Sequence, residues 1–311
     1  MNSPDTLIIG VTSRALFDLE LEHKIYLEKG YIEYRNYQIA HINDHLKPGV
    51  AFPFISRLLH LNELFPKEVV KVAIISKNSP ETGERVFNSC RHYKLPIQMG
   101  AFTSGQSTID MLDAFEVHLF LSANRETVDE ALKLGKPAGL ILNETMQDWD
   151  NEDDSTPLRI AFDFDGVIAD DESEREYQNK GLESFNRYEQ DKANTPHAPG
   201  PLANLFKHLS ELQQYEIQAR GGLAGAFIPS FRIAIVTSRG ATSGLRLLTT
   251  LREQLGMSAV ELYLLDGLNK NALLKIIKPH IFFDDQYNHL KEADVPSVLI
   301  PFGIHKKQID D

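Results

Sequence analysis

The feature that most narrows what this chain can become is a repeat inside it. When the second half is slid back by 151 positions (180 − 29), Lys29-Gly30 falls on Lys180-Gly181. The same ungapped shift pairs Ile9 with Ile160, Tyr26 with Tyr177, Tyr37 with Tyr188 and Asn43 with Asn194. It also pairs Pro48-Gly49 with Pro199-Gly200 and Leu58 with Leu209. Further on, the shift becomes 161 (237 − 76), and VAIISKNSPETGER (72–85) lies on IAIVTSRGATSGLR (233–246). At a shift of 162 (280 − 118), VHLFLSA (117–123) lies on PHIFFDD (279–285). Self-similarity of this kind marks a repeated structural unit, and a unit of this length is the size of a domain.

An acidic stretch nearly without aliphatics, QDWDNEDDSTP (Gln147–Pro157), separates the copies. It sets the expected boundaries: a first half over 1–147, a linker over 148–157 and a second half over 158–311. In both halves short apolar runs alternate with longer polar stretches, which is the pattern of an α/β fold with a mainly parallel sheet flanked by helices. Between the first and second strands lies a polar, aromatic-bearing stretch, over about 172–230 in the second half. There Ser184-Phe185, Tyr188 and then Leu202, Leu205, Phe206, Leu209 and Leu212 keep near-helical spacing, and Gly200-Pro201 breaks it in the middle. The expectation is a helical cap insertion in each half, with Phe185 and Tyr188 as core residues and no role for the lone loop histidine His197.

The chemistry is concentrated in RIAFDFDGVIADDESE (159–174). A short buried strand there ends at Asp163 and Asp165, two residues apart and followed by Gly166. Ligands of open α/β sheets sit outside the carboxyl ends of the strands, where two such carboxylates suit nucleophilic phosphoryl transfer. Asp163 would attack phosphorus and form an aspartyl-phosphate. Asp165 would protonate the leaving oxygen and then activate water. A second strand pattern, FRIAIVT, ends at Thr237, a hydroxyl for a phosphate oxygen, with Ser238 and Arg239 as weaker candidates. Lys270 heads an apolar-periodic segment and can neutralise phosphate charge, while IFFDD ends a third strand at Asp284 and Asp285. One of these two aspartates can ligate magnesium beside Asp163, since magnesium takes oxygen donors and usually only one or two protein carboxylates. Asp285 would support the lysine or the metal shell.

This constellation resembles the haloacid-dehalogenase-like hydrolases, and Asp at the second motif position points within that superfamily to phosphatases. The phrases SRALFDLE (13–20), LKPGVAFPF (46–54), LSAN (121–124), DDESE (170–174) and PHIFFDDQ (279–286) are similar to the type I cytosolic 5′-nucleotidases over nearly the whole chain. Phe164 and Gly166 depart from the animal members, which carry a smaller residue and Ala there. The resemblance implies a magnesium-dependent hydrolase of nucleoside 5′-monophosphates, AMP being the family's usual substrate. The magnesium ligands expected with it are Asp163, the Asp165 carbonyl and Asp284. The alternatives are a phosphatase for another small phosphoester, such as a sugar phosphate, and a non-catalytic nucleotide-sensing protein.

The repeat carries this chemistry in one copy only. Thr12 stands where Asp163 is, Arg14 where Asp165 is, Ser76 where Thr237 is and Thr108 where Lys270 is. Ser122-Ala123 stand at Asp284-Asp285. The fold expected is therefore two tandem Rossmann-like, haloacid-dehalogenase-type halves with the N-terminal half catalytically degenerate. With its carboxylates replaced by hydroxyls and an arginine, the first half presents a candidate second anion site at Thr12, Arg14, Ser76 and Thr108, open to a nucleotide effector. The competing reading pairs Arg14 with Asp18 or Glu20 and leaves the pocket filled.

Charge and composition remove other classes of partner. The formal charge is 32 − 44 = −12, a poor match for nucleic acid or an anionic membrane. A single cysteine, Cys90, excludes an intramolecular disulfide and fits a reducing compartment. No apolar run is long enough to span a bilayer, and the start lacks the basic n-region of a secretory signal. The expected location is the cytoplasm, and self-association is left open.

Overall fold

Strands form where apolar runs can be covered on both faces. The computed structural model of the protein describes residues 5–142, 157–219, 229–256 and 260–307. The first stretch gives β1 (Leu7–Val11), α1 (Ser13–Leu16), β2 (Phe17–Asp18), α2 (Glu20–Ala40), β3 (Lys47–Pro48) and α3 (Phe52–His60). It continues with β4 (Val70–Ser76), α4 (Pro80–His92), β5 (Met99–Phe102), α5 (Ile109–Ala114), β6 (Leu119–Ser122), α6 (Arg125–Lys133) and β7 (Ala138–Ile141). The expected linker, 148–157, lies outside the described residues except for Pro157, and beyond it come β8 (Leu158–Phe162), α7 (Glu172–Asp191), α8 (Ala203–Ala219), β9 (Phe231–Thr237) and α9 (Gly244–Thr250). The last elements are β10 (Val260–Leu264), α10 (Lys270–Ile277), β11 (Ile281–Asp284), α11 (Tyr287–Leu290) and β12 (Ser297–Leu299).

Ten of these strands make one sheet in the order β10-β9-β8-β11-β12-β7-β6-β1-β4-β5. All neighbours run parallel except β12 and β7, which pair antiparallel through Val298–Ile141 and Leu299–Leu140. The sheet is thus continuous across the linker, where the sequence reading gave each half a sheet of its own. Local patterning cannot specify which edge strands meet, because β7 and β12 are joined only by tertiary packing. The antiparallel seam has one large consequence. The carboxyl ends of β1, β4 and β6 leave one edge of the sheet, and those of β8, β9 and β11 leave the opposite edge.

Strand side chains alternate between two cores. Ile9, Val72, Ile160, Phe162, Ile233 and Phe283 lie in one, and Ile75, Phe120, Ala161, Val236 and Phe282 in the other. Both cores draw on the strands of both stretches. Phe162 stacks on Phe283 at 5.0 Å and meets Phe206 of α8 edge-on at 5.6 Å. Phe54 of α3 meets Phe283 edge-on at 6.5 Å.

The stretch expected to form a cap divides in two. The apolar positions of α8 at Leu205, Phe206, Leu209 and Leu212 are buried in the sheet core, so α8 is a layer helix. What projects is α7, which breaks at Gly181 (φ 81°, ψ 178°) with Tyr177 and Leu182 exposed. In the first stretch α2 breaks the same way at Gly30 (φ 83°, ψ 179°). A Cβ at either position would meet nothing within 4 Å, so the positive φ, not space, is what requires glycine. Part of the expected insertion, 220–228, lies outside the described residues.

Side-chain hydrogen bonds recur at the spacings read from the sequence. Ile8 N donates to His118 Nδ1 at 3.1 Å, and Arg159 N to His280 Nδ1 at 2.9 Å. Arg85 Nε donates to Asp44 O at 2.8 Å, and Arg246 Nε to Thr195 O at 2.9 Å. Leu46 N donates to Ser89 Oγ, and His197 N to Thr250 Oγ1.

Candidate active site

Parallel strands β8, β9 and β11 lie side by side, so the residues that follow them share one sheet edge. Asp163 follows β8 directly. Its amide donates to Phe283 O at 2.7 Å, and its Oδ1 accepts from Phe164 N at 2.7 Å. The chain then turns tightly, with Ile168 N and Ala169 N both donating to Phe164 O. Gly166 makes that turn possible at φ 72°. A Cβ there would also lie 2.6 Å from Asp285 Cγ, so the carboxylate packs against the bare glycine backbone.

Lys270, the first residue of α10, reaches into this edge with its side chain 2% exposed. Its Nζ is 2.9 Å from Asp163 Oδ2 and 2.7 Å from Asp284 Oδ2. Asp284 also accepts from Gln286 N at 2.8 Å and faces His289 Nδ1 at 3.1 Å. Thr237 is buried at the end of β9, where its Oγ1 accepts from Arg239 N at 3.2 Å. Ser238 is exposed and lines a small cleft of about 240 Å³ together with Lys270 and His289. Asp163, Lys270, Asp284, Asp285 and Thr237 are thus brought to one place, with Ser238 at its rim.

Burial dominates the electrostatics. It pushes the Asp163 carboxyl up to about 6, with Lys270 opposing and Asp284 adding to the shift. Asp285 is pushed well above the usual carboxylate range by burial and by the Asp284 and Asp163 charges. Asp284 goes the other way. Burial alone would raise it, but the Lys270 ammonium and His289 hold it below the usual range. Lys270 is raised against its own desolvation by Asp163 and Asp284.

The surplus of negative charge fits a divalent cation. Ligand atoms of Asp163, Asp284 and His289 lie within 4.8 Å of one another. The Oδ1 of Asp285 is buried without a hydrogen-bond partner, an atom left free to accept. Carboxylate oxygens are the donors a hard cation takes.

Asp165 points into a second, adjoining network. Arg239 grips it through Nη2–Oδ1 at 2.6 Å and Nε–Oδ2 at 2.7 Å. The same guanidinium pairs with the fully buried Glu189 and contacts His197 Nε2 at 3.1 Å. Glu189 also accepts from Arg246 Nη1 at 3.0 Å and from Ser173 Oγ at 2.7 Å. Phe185 and Phe164 lie against Arg239 at 5.2 and 5.4 Å. Burial would raise Glu189, but His197 and Arg239 hold it well below the carboxylate range. Arg239 is thus engaged by protein carboxylates, where the sequence reading aimed it at phosphate. Glu189 was not anticipated, and His197 was expected to have no role. A signal existed for the glutamate, because Gln38 stands at its position in the other copy (189 − 151), an amide where this half has an acid.

The residues of the candidate second anion site gather at the opposite sheet edge. Thr12, Arg14, Ser76 and Thr108 all line one cavity of about 600 Å³. Arg14 is tied to Glu20 by two bonds of 2.8 Å, one of the pairings the sequence left open, yet the cavity is not filled.

A family model described as 5′-nucleotidase matches residues 1–307. The human protein named Cytosolic 5′-nucleotidase 1B is 34% identical over 312 residues, taking in 97% of this chain. The chain belongs to the 5′-nucleotidase family. It spans about half the length of that human relative, 50%. Among the described residues of this 5′-nucleotidase family member, no helix is long and apolar enough to cross a membrane.

Proposed function

We propose that this chain hydrolyses nucleoside 5′-monophosphates, AMP-like substrates among them, to nucleoside and phosphate. The observation that carries the reading is a buried aspartate, Asp163, at the carboxyl end of a central strand, with Lys270 at 2.9 Å and a second aspartate two residues on. Family membership supplies the substrate class. Asp163 Oδ attacks phosphorus, forming an Oδ–P bond as the P–O5′ bond breaks. Asp165 gives its proton to the departing O5′. Arg239 positions Asp165, and an entering phosphate competes for that guanidinium, which lets the carboxyl take up the proton it must deliver. In the second half of the cycle Asp165 takes a proton from the water that attacks the aspartyl-phosphate, and Asp163 is regenerated. Thr237 and Lys270 hold phosphate oxygens. Magnesium, held by Asp163, Asp284 and the Asp165 carbonyl with Asp285 in support, would supply charge neutralisation on the phosphate.

The organisation proposed is a duplication, with 158–311 catalytic and 1–147 degenerate. The strand order supports it: β5-β4-β1-β6-β7 is matched, read outward-in, by β10-β9-β8-β11-β12. The paired glycine breaks and recurrent hydrogen bonds support it too. Action in the cytoplasm is part of the proposal, supported by the relative's name and the single buried cysteine. The test is phosphate release from purine and pyrimidine 5′- and 3′-monophosphates and from sugar phosphates, with magnesium or with chelator. Preference for 5′-monophosphates that vanishes in chelator is the expected result. Equal rates on sugar phosphates would move the assignment to a general phosphatase.

A further inference from the structure

We infer that the first half holds a second, non-hydrolytic site for a phosphorylated nucleoside, in the cavity at the carboxyl ends of β1, β4 and β6. This goes beyond the catalytic assignment and does not depend on it, although the ligand class echoes it. The cavity of about 600 Å³ has the volume of a small-molecule site.

Its two ends differ in chemistry. The inner end is built from hydroxyls and an amide. Ser13 Oγ and Ser76 Oγ are 3.2 Å apart, with Asn78 Nδ2 3.4 Å from Ser13 Oγ. Thr12 Oγ1 is buried there without any hydrogen-bond partner, a polar atom a bound oxygen would satisfy. Lys77, which is exposed, and Arg14 add cationic groups to the cavity wall. The one carboxylate from the cavity wall that is buried, Glu22, is neutralised by Arg85 at 2.5 Å. An oxyanion therefore meets donors and cations here. The other end is aromatic. His23 stacks with Tyr26 at 6.5 Å, and Tyr26 meets Tyr34 edge-on at 6.0 Å. Tyr26 and Tyr31, each 48% exposed on this wall, offer faces on which a nucleobase can stack.

The cavity exists because of one difference between the copies. Asn78 stands at the position of Arg239 (239 − 161). In the second half the long guanidinium crosses the corresponding space to Asp165 and Glu189. The shorter amide leaves that space open. With Thr12 in place of the nucleophile, the bound phosphate has no carboxylate to attack it. The antiparallel β7–β12 seam puts the two sites on opposite sheet edges, so one ligand cannot touch both. This excludes a direct contribution of the first half to the substrate pocket and leaves an effector role.

The test is hydrogen exchange read by mass spectrometry on the full chain with magnesium. The probe is a non-hydrolysable phosphonate analogue of AMP, with inorganic phosphate and adenosine run separately. Protection is expected at 12–14, 76–79 and 103–108, separate from any at 163–165 and 237–239. Lys77→Glu should weaken the phosphonate at the first cluster about tenfold or more and leave adenosine unchanged. Tyr26→Ala should weaken both. Neither variant should alter protection at the second cluster. The inference is overturned if the first cluster stays unprotected while the second saturates, or if its protection survives both substitutions. Adenosine binding as tightly as the phosphonate would also overturn it. Absence of protection at the second cluster would count against the catalytic reading alone.

Discussion

Lys270 sits between two buried carboxylates, and its replacement by methionine measures how much negative charge that edge can carry. Methionine keeps most of the stem and removes the ammonium. At an effective dielectric of ~20, charges about 2.8 Å apart attract by about 6 kcal/mol per pair. Desolvation cancels much of this, and breaking a buried pair from one side costs about 3–5 kcal/mol in practice. The variant has one way to lower that cost, which is to protonate Asp163 or Asp284. Against an unfolded-state pKa near 3.8, protonation at pH 8 costs about 6 kcal/mol and at pH 5 about 1.6 kcal/mol, at ~1.36 kcal/mol per unit. The stability deficit should therefore be about 3–5 kcal/mol at pH 8 and fall to about 1–2 kcal/mol at pH 5. Urea unfolding of both proteins in chelator at the two pH values reads it directly, provided m is unchanged. A deficit below ~1 kcal/mol at pH 8, or one that does not shrink on acidification, would refute the reasoning.

Three further outcomes follow from the same geometry. The unsubstituted protein in chelator should itself gain stability as pH falls from above about 6 towards 5, before Glu189 and Asp284, held low in the fold, begin to favour the unfolded chain. Asp163 is raised to about 6 in the fold against 3.8 unfolded, so the fold binds more protons there, worth up to about 3 kcal/mol. Asp285 acts in the same direction, and a urea midpoint that drops over this range would count against both. Gly166→Ala forces a Cβ towards the Asp285 carboxylate at φ 72°. It should lower Tm by several degrees, about 1–2 kcal/mol from the backbone alone, and an unshifted thermal transition would disprove the contact. Asp163→Asn should abolish phosphate release and Asp165→Asn should cut it ~10²–10⁴-fold. Near-native turnover in the first variant, with deamidation excluded by mass, would remove Asp163 as nucleophile.

Much of this was readable in the sequence because it is local. LIIGV, RIAF, FRIAIVT and IFF are buried strands in the structure, since runs apolar on both faces suit central parallel strands. Asp163, Thr237, Lys270 and Asp284 converge because each sits at the end of such a strand or the head of the helix beyond it. The seam between β7 and β12 was not readable, because nothing in either strand names its partner. Nor was the role of α8, whose leucine spacing fits a cap and a layer helix equally well. Glu189 was hidden for another reason. An acid on a helix reads as solvated until a buried arginine is found opposite it, and Arg239 lies 50 residues away.

On the proposed duplication, the two sheet edges indicate which parts of the repeated unit can change without losing the fold. Two of the recurrent bonds, Arg85 to Asp44 O and Arg246 to Thr195 O, end on backbone acceptors. Backbone acceptors are present whatever the side chain, so these contacts put no demand on the chemistry of the strand ends. Carboxylates at those ends are different, because buried charge must be matched nearby. In the second half Lys270 and Arg239 supply the match, and Glu189 in turn needs Arg246 and His197. In the first half Thr12, Thr108, Asn78 and Gln38 stand at the positions of Asp163, Lys270, Arg239 and Glu189. At these four positions both signs of charge are absent together, so neither is left buried and unpaired. A closed edge of paired buried charges, and an open one lined by hydroxyls with Arg14 and Lys77 on its wall, are two solutions of the same packing problem. The open one has room for a ligand that brings its own charge.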